Sequence, residues 1–121
     1  MTITLTRDLR LKASEDSTRV LSDRTLQTSV TVDGANTETR TIPPGGGAVV
    51  LDLAGASTLK SLHIEADGGL DVVLNGSDTA IPLRPIGTAK GVLYIEGALT
   101  SVSVSNPSSS ASVAATFFTT S

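Results

Sequence analysis

The chain has 121 residues, of which 39% are apolar and 17% charged, with a formal net charge of −3 and no cysteine. This is the size of one ordinary domain, large enough to build a core without metal or disulfide. The missing thiols exclude disulfides, thiol catalysis and thiolate metal sites, and the mild acidity speaks against a nucleic-acid binder, which needs a basic stripe. Only Tyr94, Phe117 and Phe118 are aromatic, so Val, Ile and Leu must fill the core. Apolar residues come in short alternating runs, unlike a membrane span or a signal-peptide core, and the chain reads as soluble from Met1 onward.

Period two dominates. Ile3, Leu5, Leu9 and Leu11 alternate with polar residues, which predicts a strand with one apolar side. Arg7 falls on that side, and a bulge there or a protruding N-terminal arm over residues 1–12 explains it. Ser14 to Ser17 reads as a polar connection. Between Thr25 and Val32, Leu26, Val30 and Val32 share one face. Asp33-Gly34-Ala35-Asn36 supplies turn chemistry, and Thr37 to Ile42 reads as the returning strand, polar enough for an edge. Pro43-Pro44-Gly45-Gly46-Gly47 stops it.

Val49, Leu51 and Leu53 open another alternating strand. Leu62, Ile64 and Ala66 lead through Asp67-Gly68-Gly69 into Leu70, Val72 and Leu74, which reads as a β-hairpin ending at Asn75-Gly76. A short strand follows over Thr79 to Leu83. A second hairpin is predicted from Val92 to Glu96, turning near Gly97-Ala98 and returning over Ser101 to Ser105. Its Leu93-Tyr94-Ile95-Glu96 matches Leu62-His63-Ile64-Glu65 of the first, and each hairpin finishes at an asparagine, Asn75 or Asn106. A final strand over Ser112 to Thr119 puts Val113, Ala115 and Phe117 on one face. The pattern gives about nine or ten strands at sandwich spacing. The expected fold is all-β with essentially no helix: residues 1–121 as a single-domain antiparallel β-sandwich, jelly-roll-like. An immunoglobulin-like sandwich is the second choice, since its Cys–Trp core is missing.

The candidates for chemistry are few. His63, Glu65 and Asp67 share a strand face and suggest a metal, but metal sites usually gather ligands from several elements. A solvated strand surface explains the three better. Asp33, Asp67, Asp71 and Asp78 lie near turns without the spacing of a calcium loop. Gly45-Gly46-Gly47 lacks the Lys-Ser/Thr of a phosphate cradle, and no Gly-x-Ser-x-Gly elbow occurs. Asn75-Gly76-Ser77 formally fits a glycosylation acceptor and equally a strand end. No catalytic, cofactor-binding or metal residue is assigned, and no cofactor is expected. A sugar platform needs more aromatic surface than one tyrosine supplies, although Tyr94, aligned with His63, is placed on an outer face.

Residues 48–118 resemble short structural proteins of tailed bacteriophages. The likeness rests on Ser61-Leu62-His63-Ile64-Glu65, on the Asn-Gly end of the following unit, and on Leu99 to Asn106 before a Ser/Ala-rich last strand. It implies a capsid decoration (cement) protein or a tail or head–tail collar subunit. Such a protein works by symmetric assembly with itself, as trimer or hexamer, and with virion proteins such as the major capsid protein. The implied location is the phage particle, after a soluble stage in the host cytoplasm, with neither nucleic acid nor membrane as partner. The candidate partner contacts are Ile3, Leu5, Arg7, Leu9, Leu11 and Tyr94. The alternative is a small ligand- or carbohydrate-binding module, such as a receptor-binding domain.

Overall fold

A computed structural model describes residues 3–15 and 19–121, without the side chain of Leu21. Ten strands and no helix are found among them: β1 (Ile3–Glu15), β2 (Arg19–Val32), β3 (Ala35–Ile42), β4 (Val49–Val50), β5 (Leu59–Ala66), β6 (Leu70–Leu74), β7 (Ile81–Leu83), β8 (Gly91–Leu99), β9 (Val102–Ser105) and β10 (Val113–Thr120). They fall into two compact units, one ending at Asp33 and the other spanning Gly34–Ser121.

The first unit is an antiparallel ribbon of β1 and β2. Ile3 stands opposite Val32, Leu5 opposite Val30, Leu9 opposite Leu26 and Leu11 opposite Arg24. The register holds without a break through Arg7, which faces Thr28, and slips only between Ala13 and Ser14. The bulge expected at Arg7 therefore lies at the far end of the strand. Nor do Ser14 and Glu15 belong to a connection: both continue β1. Asp16 and Ser17 lie outside the described residues.

The second unit is a β-sandwich. One sheet has the order β3-β10-β5-β8, the other β4-β9-β6-β7, and all neighbours are antiparallel. Four of the pairs are nested in sequence: β3 with β10, β4 with β9, β5 with β8 and β6 with β7. The chain from β3 to β10 is thus a long double ribbon folded across two layers, with β10–β5 and β6–β9 as the seams. Alternation decides which residues enter the space between the layers. Ile42, Leu62, Ile64, Val72, Val102 and Phe117 are almost wholly withdrawn from water. Val113, Ala115 and Phe117 do share the buried face of the last strand, as the pattern requires.

Three expected hairpins do not form. β2 pairs with β1, whereas β3 pairs with β10, so Asp33 to Asn36 does not close a turn between paired strands. β5 and β6 belong to opposite sheets, as do β8 and β9. Asp67-Gly68-Gly69 is accordingly a corner between layers. A Cβ on Gly68 would come within 2.7 Å of Val113 Cγ2, which gives this glycine a packing reason. A corner and a tight turn use the same residues, because both need a short reversal of polar, small side chains. The reversal expected at Gly97-Ala98 is instead an irregularity inside β8: Leu59 faces Leu99 and Ser61 faces Glu96, leaving Gly97 and Ala98 opposite Lys60 alone. Gly97 takes a φ of 156°, in the range that favours glycine at bulges.

The two asparagines lock the corners. Asn75 donates to Ala98 O at 3.1 Å and accepts from Thr100 N at 2.7 Å, tying the end of β6 to the β8–β9 corner. Buried Asn106 donates to Ile42 O and Ala111 O and accepts from Ser108 N. Gly45 N and Gly46 N donate to Ser108 O and Asn106 O, so the glycine loop is pinned to the same corner.

Sheet edges carry recognisable protection. β4 has two residues, and β7 has three including Pro82, which cannot donate. On β3, Glu38 and Arg40 lie on the side of the sheet that carries Phe117 and Ala115. Arg40 reaches Glu38 at 2.7 Å and Val50 O at 3.2 Å, placing charge at an open flank of the sandwich.

Candidate interaction surfaces

Two surfaces collect the residues singled out in the sequence. On the ribbon, Ile3, Leu5, Arg7, Leu9 and Leu11 project from one face of β1, because they alternate with Thr4, Thr6, Asp8 and Arg10. The cross-strand register adds Val32, Val30, Thr28, Leu26 and Arg24 to that face. The result is an apolar stripe interrupted by two arginine positions. Its exposure rises away from the Ile3–Val32 row: Val32 is 2% exposed, whereas Leu9 is 48% exposed, Leu26 46% and Leu11 63%. The opposite face is polar and ordered by a two-point contact in which Arg10 donates from Nε and Nη2 to the Asp23 carboxylate, at 3.2 and 2.9 Å. These hydrogen bonds, above all, hold the Asp23 carboxyl below its usual range and raise the Arg10 guanidinium.

Tyr94 lies elsewhere, on the outer face of the β3-β10-β5-β8 sheet. Its cross-strand partner is His63, the ring centroids standing 6.3 Å apart at an interplanar angle of 54°. His63 in turn faces Phe118, and Phe118 faces Thr37. One row across the sheet therefore holds the only histidine and two of the three aromatics. Val92 extends it, 59% exposed and opposite Glu65. Tyr94 donates its hydroxyl to Glu96 at 3.0 Å, leaving the ring as the contact surface. The matched tetrapeptides of the sequence are neighbouring strands here, with Leu62 opposite Ile95 and Ile64 opposite Leu93. Their likeness is that of two strands in one environment. Phe118 was not among the sequence candidates, although it follows from alternation once Phe117 is assigned inward.

Two of the acidic candidates are engaged structurally. Asp67 accepts from Ala114 N at 2.9 Å and Asp71 pairs with Arg84 at 2.7 Å. Among the described residues no three His, Asp or Glu side chains come together as metal ligands. The depression bordered by Gly34, Asn36, Leu53, Leu59 and Ser121 has a volume of about 90 Å³, well below the several hundred Å³ of a usual small-molecule site. No family model matches the chain, and no curated protein or solved structure resembles it at a significant level.

Proposed function

We propose that this chain is a non-enzymatic structural subunit of a tailed-phage particle, a capsid decoration (cement) protein or a tail or head–tail collar subunit. Its partners are copies of itself, as trimer or hexamer, and virion proteins such as the major capsid protein. It is soluble in the host cytoplasm before assembly and ends in the particle.

The observation that carries this reading is the exposed ribbon. A two-stranded sheet is marginal in water unless its apolar face is covered. Here every described side chain from Asp8 to Glu15 and from Arg19 to Thr31 is exposed. Such a segment makes physical sense as a contact element. The sandwich supports the reading more weakly: nested antiparallel pairing across two sheets is compatible with a jelly roll, an architecture used by capsid proteins and by lectin domains alike.

The test is to probe gradient-purified particles of the encoding phage with an antibody against the chain. A signal that co-sediments with intact particles is expected, and its confinement to the soluble fraction contradicts the reading. A second reading, a carbohydrate- or ligand-binding module, is favoured by the Phe118-His63-Tyr94 row. It predicts glycan-array binding that Tyr94→Ala abolishes.

A further inference from the structure

We infer that Asn75 is a site of spontaneous covalent modification, closing to a succinimide with Gly76, and that the corner at the end of β6 holds this reaction in check. The site is independent of the assembly reading above.

The chemistry starts from the sequence. An asparagine side-chain amide is attacked by the backbone N–H of the residue that follows it, so that neighbour sets the reactivity. The chain has asparagine at positions 36, 75 and 106 only. Asn36 precedes Thr37, whose β-branch crowds the approach, and Asn106 precedes Pro107, which has no N–H to attack with. Asn75 precedes Gly76, which has the N–H and no side chain to obstruct it. A Cβ at Gly76 would meet nothing within 4 Å, and both residues are exposed, so water reaches the reacting groups.

In the reaction Gly76 N bonds to Asn75 Cγ and the Cγ–Nδ2 bond breaks. The Gly76 proton passes through water to the departing nitrogen, which leaves as ammonia. Water then opens the imide ring at either carbonyl. The product is aspartate or, with the chain rerouted through Cγ, isoaspartate. Water is the only co-reactant.

The fold works against the first step. Both heteroatoms of the Asn75 amide are tied to the β8–β9 corner. Nδ2 donates to Ala98 O at 3.1 Å, and Oδ1 accepts from Thr100 N at 2.7 Å and from Thr100 Oγ1 at 3.2 Å. The backbone is tied as well, since Asn75 N donates to Ser101 O at 2.9 Å and Ser77 N to Leu74 O at 3.0 Å. Asn75 and Gly76 thereby sit in a tight turn with φ of 54° and 67°. Ring closure swings Cγ onto Gly76 N, which takes the side chain off its three hydrogen bonds and the backbone out of the turn. The bonds to Oδ1 also polarise the carbonyl, but tethering outweighs this because the tethered amide has to leave before it can react. The reaction therefore runs from the opened corner, a local unfolding event. Its product cannot lock the corner again: aspartate lacks the Nδ2 donor to Ala98 O, and isoaspartate adds a carbon to the backbone of the turn.

The test follows amide-to-acid conversion at each asparagine by peptide mass spectrometry. The full chain is held at mildly alkaline pH, folded in buffer and unfolded in guanidinium chloride. In the unfolded chain Asn75 is expected to convert faster than Asn36 and Asn106; conversion of either at an equal or greater rate overturns the site. In the folded chain Asn75 is expected to convert at least about tenfold more slowly than in the unfolded one, because only the opened corner reacts. A smaller ratio overturns the check. Thr100→Ala deletes one bond to Oδ1 and leaves Gly76 untouched. It is expected to speed conversion of the folded chain several-fold without changing the unfolded rate, and an unchanged or slower folded rate overturns the tether. Should that variant fail to fold, the ratio measured on the parent decides alone.

Discussion

At the scale of single residues, polar side chains hold the corners of the sandwich more than its layers. Asn106 is fully buried and satisfies two backbone carbonyls and one amide. Replacing it with alanine strands those groups away from water, at about 1–3 kcal/mol each when uncompensated. Asn106→Ala should lower the unfolding free energy of the sandwich by roughly 2–4 kcal/mol, and Asn106→Asp by at least as much; urea titration measures both. The Arg10–Asp23 contact is exposed and works differently. Because folding lowers the Asp23 pKa, its contribution is present above the unfolded value near pH 4 and disappears as pH falls through the folded value. Asp23→Asn should therefore speed amide exchange in β1 and β2 relative to the parent at neutral pH. The two proteins should converge in acid, once the parent carboxylate is protonated. A difference that persists unchanged in acid would assign the effect to something other than charge.

At the scale of elements, what alternation can reveal and what it cannot are cleanly separated. The inward faces of β5, β6 and β10, the edge character of β3 and the outward position of Tyr94 follow from side chains alone, since period two fixes a face wherever a strand is half buried. Pairing does not follow. Asp67-Gly68-Gly69 between two alternating runs is compatible with a hairpin or with a change of layer, and only the rest of the sheet decides. The ribbon shows the same limit. Leu26, Val30 and Val32 are visible as one face, but period two alone does not fix their register against Leu9, Leu5 and Ile3. The β8 bulge gives a prediction at this scale. Gly97 has a backbone conformation that L side chains rarely adopt, yet nothing within 4 Å of its would-be Cβ. Gly97→Val should cost about 1–3 kcal/mol through backbone strain alone, measured against Gly47→Val, which also meets open space but without that backbone conformation.

At the scale of the whole molecule, the proposed function assigns folding to the sandwich and contact to the ribbon. Phe117, 1% exposed at the centre of β10, touches the layer of aliphatic side chains from both sheets. Phe117→Ala should destabilise the sandwich by about 3–5 kcal/mol. Leu9→Asp, on an exposed ribbon position, should leave the sandwich transition within about 0.5 kcal/mol of the parent. Function under the proposed account varies in the opposite sense, with the leucine face mattering to assembly and little to the fold.

The central claim, assembly through that ribbon, is tested most directly by the native mass of the purified full chain, measured by light scattering during gel filtration over a range of concentrations. The account predicts a discrete multiple of the 12.3 kDa chain, reduced to a single chain by Leu9→Asp together with Leu26→Asp while the sandwich stays folded. A parent protein that runs at the mass of one chain at every concentration would contradict it.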